Sequence, residues 1–341
     1  MTASGKQPFD LLTPTQQLQH LEQVARRSLI NWDMASDTPL TLLSLSENAT
    51  YRVAADGHEQ PLILRVHRTG YHSHNAIRTE LAWMKALQAE EGLQTPQAIA
   101  GTDGEIIQCV ETPSLKEARF TVLFHFIPGS APDESQLLEP FKRLGRVTAR
   151  MHRHARQWQR PEYFERLVWD FDGCLGKVQL WGDWRAGPGL DDAGKAVLEK
   201  TQALIEQRLR SFGRDPKRFG LIHADLRLAN LLESGGKTRV IDFDDAGLGW
   251  FLYDIAGAVS FIETRDDLAD LIAAWVSGYV SEGELSDEDI AEIPTFIMLR
   301  RMTLLAWVGS HAETGLAQSQ GEEFTRGTVK LAESYLQSMA G

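Results

Sequence analysis

The sequence predicts an α+β protein of two lobes, an N-terminal antiparallel sheet with a helix followed by a larger, mainly helical C-terminal lobe. Short stretches of alternating apolar and polar residues, as in half-buried strands, dominate the first third of the chain. From Glu139 onward, apolar residues recur instead at the spacing of helices. The turn-rich stretch PGSAPDES separates the two patterns, and 341 residues exceed the length of a usual single domain. We therefore place the lobes at residues 1–127 and 128–341.

The composition argues against several functional classes. A formal net charge of −12 and a pI near 5.3 disfavour a general nucleic-acid binder and a surface that binds anionic lipid. The two cysteines, Cys109 and Cys174, lie far apart without metal-type spacing, which favours a reducing cytoplasm. No apolar run approaches the ~18 residues of a membrane span, and the N-terminus lacks the apolar core of a signal peptide. We expect an unprocessed cytoplasmic protein without nucleic-acid or membrane partners.

The first predicted element is an amphipathic helix that begins at Thr13 and Pro14, residues typical of helix starts. Short strands are then predicted at 40–46, on either side of a turn around Asp56 and Gly57 within 51–67, and at 104–111 and 119–127, and a helix is predicted at 75–90. In the second strand segment, Arg65 occupies the face opposite the alternating leucines. In the helix, Glu80 lies beside the apolar stripe. Both charged residues are therefore placed next to a buried layer.

The C-terminal lobe begins with a helix over 139–158, and helical patterns return at 192–212 and from Phe251 to the end. Between the first two helices, residues 161–190 are irregular and rich in Trp, Asp and Gly. We interpret this segment as an inserted binding element or a lid.

The stretch LIHADLRLANLLESGGKTRVIDFDDAG, residues 221–247, predicts a strand, a loop and a hairpin that turns at 234–237. In an antiparallel hairpin, the numbers of two residues that face each other add up to a constant, here about 471. Asn230 and Asp242 sum to 472, so they lie side by side at its open end. Their oxygen atoms suit Mg²⁺, and Asp225 in the adjoining loop is left to orient a hydroxyl and accept its proton. This arrangement predicts phosphoryl transfer from ATP; the alternative is a chance cluster of turn residues.

The segments HADLRLANLL and VIDFDDAGLGWFLYDIA resemble the signature of the aminoglycoside phosphotransferase and choline kinase family, which has a bilobal protein-kinase-like fold. The resemblance extends over most of the chain and is nearest to the homoserine kinase type II and stress response kinase branches. It implies that Asp225 is the catalytic base and that Asn230 and Asp242 hold Mg²⁺. It also implies that His223 and Asp254 support the catalytic loop, although Asp254 would equally suit a helix cap.

The N-terminal lobe resembles the nucleotide-holding part of the same family. Arg65 matches the position of the kinase lysine that contacts the α- and β-phosphates, and Glu80 matches its helix partner. Considered alone, each would be an ordinary surface residue. The loop SLSENATYRV has no glycine, so it would have to use the side chains of Ser46, Asn48 or Thr50 together with backbone amides. The further nucleotide contacts implied are Ser46 and Asn48 in this loop, and His125 and Ile127 where adenine would meet the main chain.

The acceptor site is predicted within LVWDFDGCLGKVQLWGDW, residues 167–184, at Trp169, Asp170 and Trp184. Aromatic rings and carboxylates suit a cationic amino alcohol or a hydroxy amino acid. The alternative is that the tryptophans pack the insertion against the lobe. Near the C-terminus, Arg300 and Arg301 are open candidates for reaching the active site.

The predicted function is transfer of the ATP γ-phosphate to a hydroxyl of a small molecule, with an amino alcohol or homoserine favoured. A protein kinase of the stress response type and an antibiotic kinase are alternatives. Only residues 243–253 separate Asp242 from Asp254, which is short for a peptide-docking loop and favours a small acceptor. A binding module would have lost one of the three key polar residues. The basic residues of 142–160 are distributed around their helix and predict a solvated face rather than a nucleic-acid site.

Overall fold

The computed structural model describes residues 9–45, 48–112, 117–312 and 314–339. They divide into two compact units, the first drawn from 1–85, 96–127 and 161–165, and the second from 86–95, 128–160 and 166–341. The first unit contains the antiparallel sheet, and the second is mainly helical, so the predicted fold class is confirmed. The assignment of nucleotide binding to 1–127 and of the acceptor to 128–341 stays a prediction.

The elements of the first unit are α1 (Pro14–Ser28), β1 (Leu40–Leu45), β2 (Ala49–Val53), β3 (Leu62–Val66), α2 (His74–Glu91, of which residues 86–91 belong to the second unit), β4 (Ala98–Ile99), β5 (Gln108–Val110) and β6 (Arg119–His125). The strands form a six-stranded antiparallel sheet in the order β1-β2-β3-β6-β4, with β5 also paired to β6. Helix α1 begins as predicted, because Thr13 and Gln16 form a reciprocal capping box ahead of Pro14.

The two faces of β3 have different partners. Leu62, Leu64 and Val66 are buried in the cluster that includes residues of α1. Arg65 alternates with them and is bound on the opposite face by Glu80 of α2. The period of two that predicted this division is therefore confirmed.

The second unit contains most of the helices. Its elements are α3 (Leu138–Gln157), β7 (Leu167–Trp169), α4 (Phe171–Cys174), α5 (Asp192–Phe212), β8 (Phe219–Ile222), β9 (Leu231–Ser234), β10 (Lys237–Val240), β11 (Gly247–Trp250), α6 (Tyr253–Ala258), α7 (Leu268–Val280), α8 (Asp287–Ser310) and α9 (Gly315–Ser338). Strand β11 pairs in parallel with β7 and antiparallel with β8, while β9 and β10 form a separate hairpin.

Helices α3 and α7 approach closely because each presents a glycine to the other. A Cβ atom on Gly145 would lie 2.1 Å from the carbonyl oxygen of Trp275, and one on Gly278 would lie 1.9 Å from that of Lys142. Neither position can hold a larger residue without moving backbone. The close contact brings His152 of α3 to Tyr279 of α7, next to the catalytic loop.

The hairpin of β9 and β10 has the predicted turn and register. Gly235 and Gly236 form its two-residue loop, both with positive φ, as this tight turn requires. Opposed residues sum to 471, as in the pair Leu231 and Val240. One step further, the N–H of Ile241 donates to the carbonyl of Asn230 at 3.0 Å. The hairpin therefore brings Asn230 next to the residue that precedes Asp242.

Both cysteines are free thiols, one in each unit. Cys109 on β5 is exposed, whereas Cys174 on α4 is buried. Burial raises the pKa of the Cys174 thiol to about 12. Among the described residues, no helix combines the length and apolar character needed to cross a bilayer.

Candidate active site

The catalytic loop that follows β8 is held by one buried carboxylate. Asp254, at the start of α6, accepts hydrogen bonds from the backbone N–H of His223 at 3.1 Å and of Ala224 at 2.7 Å. Ala224 has a φ of 68°, a conformation that costs a non-glycine residue free energy. The same carboxylate accepts from His152 Nε2 at 2.9 Å. Asp254 therefore stabilises a strained turn immediately before Asp225.

His223 links this loop to the segment that carries Asp242. The N–H of Asp225 donates to His223 Nδ1 at 3.2 Å, so the ring proton lies on Nε2, which donates to the carbonyl of Ile241 at 3.1 Å. The imidazole is fully buried and packs on the ring of Phe243, with centroids 4.5 Å apart. The loop-supporting position predicted for His223 agrees with these contacts.

Asp225 is bound through both carboxylate oxygens. Arg300 donates to Oδ1 at 2.5 Å, and Oδ2 accepts from Asn230 Nδ2 at 2.7 Å and from Arg227 Nε at 3.2 Å. Burial alone would raise the pKa of Asp225, but the guanidinium groups of Arg227 and Arg300 hold it below its usual range. The carboxylate is therefore ionised and oriented, as a group that accepts a proton from a hydroxyl must be.

Asn230 and Asp242 offer the oxygen atoms that a hard cation prefers. Asn230 Nδ2 donates to both the carbonyl and the carboxylate of Asp225, which leaves its amide oxygen as the atom available for a metal. Asp242 is half-buried and has a φ of 62°, again a strained backbone. No cluster of three His, Cys, Asp or Glu side chains that could hold a metal occurs among the described residues. An amide oxygen and a carboxylate are donors that fit Mg²⁺, which is usually bound through one or two carboxylates together with substrate phosphates; their role as metal ligands stays a prediction.

The backbone that follows Asp242 is held by side chains from the insertion. Arg166 donates to the carbonyls of Ala246 and Asp244, and to that of Phe243 at 3.4 Å. Trp169 Nε1 donates to the carbonyl of Asp245 at 2.7 Å. The pairing of β7 with β11 places both donors beside this loop. Part of the segment interpreted as an inserted binding element or lid therefore supports the loop of Asp242.

In the first unit, Arg65 and Glu80 form a buried ion pair, with Arg65 Nη1 2.7 Å from Glu80 Oε1. The guanidinium also lies over the ring of Phe124, 5.2 Å from its centroid. Glu80 is 1% exposed and Arg65 6%, so neither is the solvated surface residue considered as an alternative. Their role toward a nucleotide stays a prediction.

The other predicted nucleotide residues have less distinctive surroundings. Asn48 is buried, and its Oδ1 accepts from the N–H of Arg68 at 3.1 Å. The N–H of His125 donates to the carbonyl of Gln97 at 2.9 Å, and Ile127 is half-buried just after β6. Ser46 lies outside the described residues.

The predicted acceptor residues are occupied by structural contacts. Trp169 and Trp184 are both fully buried, and Trp184 Nε1 donates to Gln202 at 2.8 Å. Asp170 caps α4 by accepting from the N–H of Gly173 and pairs with Arg214 at 2.8 Å. These contacts match the packing alternative, and the acceptor role of the three residues stays a prediction.

Three residues at the site were not predicted to act there. Arg227 lies two positions after Asp225, but the sequence does not show that its side chain turns toward that carboxylate. Arg166 and His152 lie outside every motif, and only the folded chain brings them to the site. Of the two open candidates, Arg300 contacts Asp225, whereas Arg301 binds Glu263 at 2.7 Å.

Comparison with known proteins is consistent with this geometry. The sequence profile of the Phosphotransferase enzyme family (APH) matches residues 40–288, which is more than half of the chain. The chain belongs to this family. A solved phosphotransferase, the microcompartment-associated aminopropanol kinase, is 41% identical and superposes with a TM-score of 0.85, covering 93% of this chain and 98% of that one.

Two further relatives broaden the comparison. Amicoumacin kinase of Bacillus subtilis (strain 168) is 26% identical over 297 residues, 84% of each chain. An amicoumacin kinase solved in complex with AMP-PNP, Ca²⁺ and Ami is 21% identical, has a TM-score of 0.75 and covers 92% of this chain and 96% of its own, a likeness of fold. The phosphotransferase described here is therefore an ATP-dependent kinase of small molecules.

The expected branch is supported only in part. Homoserine kinase of Neisseria meningitidis serogroup B is 42% identical, but over 80 residues, which are 22% of this chain and 26% of the relative. The aminopropanol and amicoumacin kinases, in contrast, are matched over most of their length. The chain is therefore assigned to the family as a whole, and not to a position nearest to the homoserine kinases.

Proposed function

We propose that this phosphotransferase transfers the γ-phosphate of ATP to the hydroxyl of a short amino alcohol. The observation that carries the proposal is the 41% identity to the aminopropanol kinase over 93% of the chain. The catalytic loop supports it, since Asp225 is ionised, oriented by three donors and placed after a strained turn.

In the proposed reaction, Asp225 orients the acceptor hydroxyl and accepts its proton as the oxygen attacks phosphorus. Asn230 and Asp242 would hold Mg²⁺, which neutralises charge on the β- and γ-phosphates when bound. Arg227 is the most exposed donor to Asp225, with a side chain that is 26% exposed. Its departure would leave one lone pair of Oδ2 for the incoming hydroxyl.

The first unit would supply the nucleotide contacts. Arg65, fixed by Glu80, is proposed to bind the α- and β-phosphates, because a guanidinium donates in parallel to two phosphate oxygens. Asn48 remains a proposed contact from the loop near the phosphates. His125 and Ile127 remain proposed main-chain contacts of the adenine ring. The free thiols agree with a reducing cytoplasm as the place of action.

The test is ADP release with a panel of acceptors at saturating Mg-ATP. The panel contains 1-amino-2-propanol, ethanolamine, homoserine, an aminoglycoside, amicoumacin and a generic protein, and Asp225→Asn is the matched inactive control. We expect the highest kcat/KM for an amino alcohol. A clear preference for an antibiotic or for the protein would reject the proposed acceptor class.

Homoserine is the second candidate, favoured by the 42% identity to a homoserine kinase over 80 residues. It differs from an amino alcohol by a carboxylate. Turnover of homoserine at least as fast as that of 1-amino-2-propanol would establish this alternative.

A further inference from the structure

Two neighbouring arginines of α8 are both buried yet bind different carboxylates. Arg300 is 1% exposed and contacts Asp225, while Arg301 is 4% exposed and contacts Glu263. Arg301 is bound further by Thr328 and by the carbonyl of Phe324, both residues of α9. Arg301 therefore joins α8 to α9, whereas Arg300 reaches the group that reacts.

The guanidinium of Arg300 is fixed by contacts other than Asp225. Its Nε lies 3.3 Å from Ser260 Oγ, its Nη1 lies 3.5 Å from the hydroxyl of Tyr253, and its plane lies near the ring of Trp181, 4.7 Å from the centroid. A planar guanidinium held on several sides presents the remaining N–H in one direction. That N–H points at Oδ1 of Asp225, 2.5 Å away.

The two oxygens of Asp225 are held by donors of different exposure. Oδ1 is bound by the buried Arg300, while Oδ2 is bound by Asn230 and by Arg227, which is 26% exposed. The partly exposed Arg227 can move away into solvent, whereas departure of the buried Arg300 would leave a buried charge without its partner. The acceptor hydroxyl is thus directed to Oδ2, and the orientation of the carboxylate depends on the contact at Oδ1.

We propose that Arg300 is a positioning residue for phosphoryl transfer, which fixes the carboxylate of Asp225 through Oδ1 so that Oδ2 faces the acceptor hydroxyl. The inference rests on the proposed role of Asp225 as the base. It assigns to α8, which lies outside the catalytic motifs, a direct part in orienting the reacting group.

The experiment compares Arg300→Met and Arg300→Lys with a matched control on the same helix. The control is the double variant Arg301→Met with Glu263→Gln, which removes an equally buried arginine without leaving its carboxylate charged. Activity with 1-amino-2-propanol is expressed per folded protein, with the folded fraction measured by circular dichroism. Steady-state kinetics then separates kcat from the KM for ATP.

We expect Arg300→Met to lower kcat about 100-fold, the effect of misplacing a reacting group by about 1 Å, while the KM for ATP changes less than about 3-fold. Arg300→Lys should retain an intermediate kcat, because an ammonium supplies the charge without the fixed plane. Added methylguanidine should restore part of the kcat of Arg300→Met. The control should keep the wild-type kcat.

A kcat for Arg300→Met equal to that of the control, both per folded protein, would overturn the inference. If Arg300→Met does not fold, Arg300→Lys is compared with the control instead. The inference then requires the kcat of Arg300→Lys to fall below that of the control. Failure of the proposed function would differ, since the wild-type protein itself would then prefer an acceptor of another class. Release of no ADP by the wild-type protein with any acceptor would remove both proposals together.

Discussion

The buried pairs Arg65–Glu80 in the first unit and Arg300–Asp225 in the second have the same chemistry and different surroundings. Arg65 binds one oxygen of Glu80 at 2.7 Å, and among the described residues the other oxygen of Glu80 has no hydrogen-bond partner. Arg300 binds one oxygen of Asp225 at 2.5 Å, and further donors bind the other. A carboxylate that only holds an arginine needs one contact, whereas one that is proposed to react is fixed through both oxygens.

The sharpest test of this difference is Asp225→Asn, which keeps the shape and removes the proton acceptor. We expect kcat to fall about 1000-fold, because positioned acid–base help is typically worth about 100- to 10,000-fold. Mg-ATP affinity, measured by calorimetry, should change less than about 3-fold. Turnover near the wild-type rate would show that Asp225 is not the base.

Acid should weaken both units through buried histidines. Burial, aided by Arg119, lowers the pKa of His20 to about 4, and burial lowers the pKa of His152 and His154 as well. Unfolded histidine has a pKa of about 6.5, so the unfolded state binds more protons between pH 6.5 and 4. Stability is therefore full above about pH 6.5 and falls as the pH drops toward 4.

For His20 alone, the loss at about pH 5 is of the order of 2 kcal/mol in the free energy of unfolding. Urea unfolding at about pH 7.5 and about pH 5 measures it, with His20→Leu as the control that should show a smaller pH difference. Equal stability at both pH values would contradict the prediction for all three histidines.

The pair in the first unit is tested by Arg65→Met and Glu80→Gln. Loss of the guanidinium should raise the KM for ATP about 10-fold, roughly the value of one charge-assisted hydrogen bond. Glu80→Gln keeps the shape of its partner and should have a smaller effect in the same direction. Unchanged nucleotide affinity in Arg65→Met would show that Arg65 has a structural role and does not bind the nucleotide.

The smallest effect is expected at Arg166, which acts on the loop of Asp242 only through backbone carbonyls. Arg166→Lys should lower kcat about 3-fold and raise the Mg²⁺ concentration needed for half-maximal rate. The reason is that a single ammonium group replaces the several N–H donors of the planar guanidinium. Arg160→Lys, on the same stretch of chain, is the control. An unaltered Mg²⁺ requirement would show that the carbonyl contacts do not support Asp242.

Local patterns predicted the parts of the fold and site that local chemistry determines. The Gly-Gly turn defined the hairpin and its register, and the period of two placed Arg65 opposite the leucines. Arg300 lies 75 residues from Asp225, and no short-range pattern encodes a contact at that separation. The burial of Trp169 is a similar case, because composition alone did not distinguish a binding residue from one packed where β7 pairs with β11.

The two thiols give this chain a built-in pair of chemical reporters. Cys109 of the first unit is exposed and should react at once with an alkylating reagent. Cys174 of the second unit is buried near Tyr253, a neighbour of Arg300, and its raised pKa keeps it protonated. Its labelling rate would therefore record how often the helices around the catalytic carboxylate open, without any engineered probe.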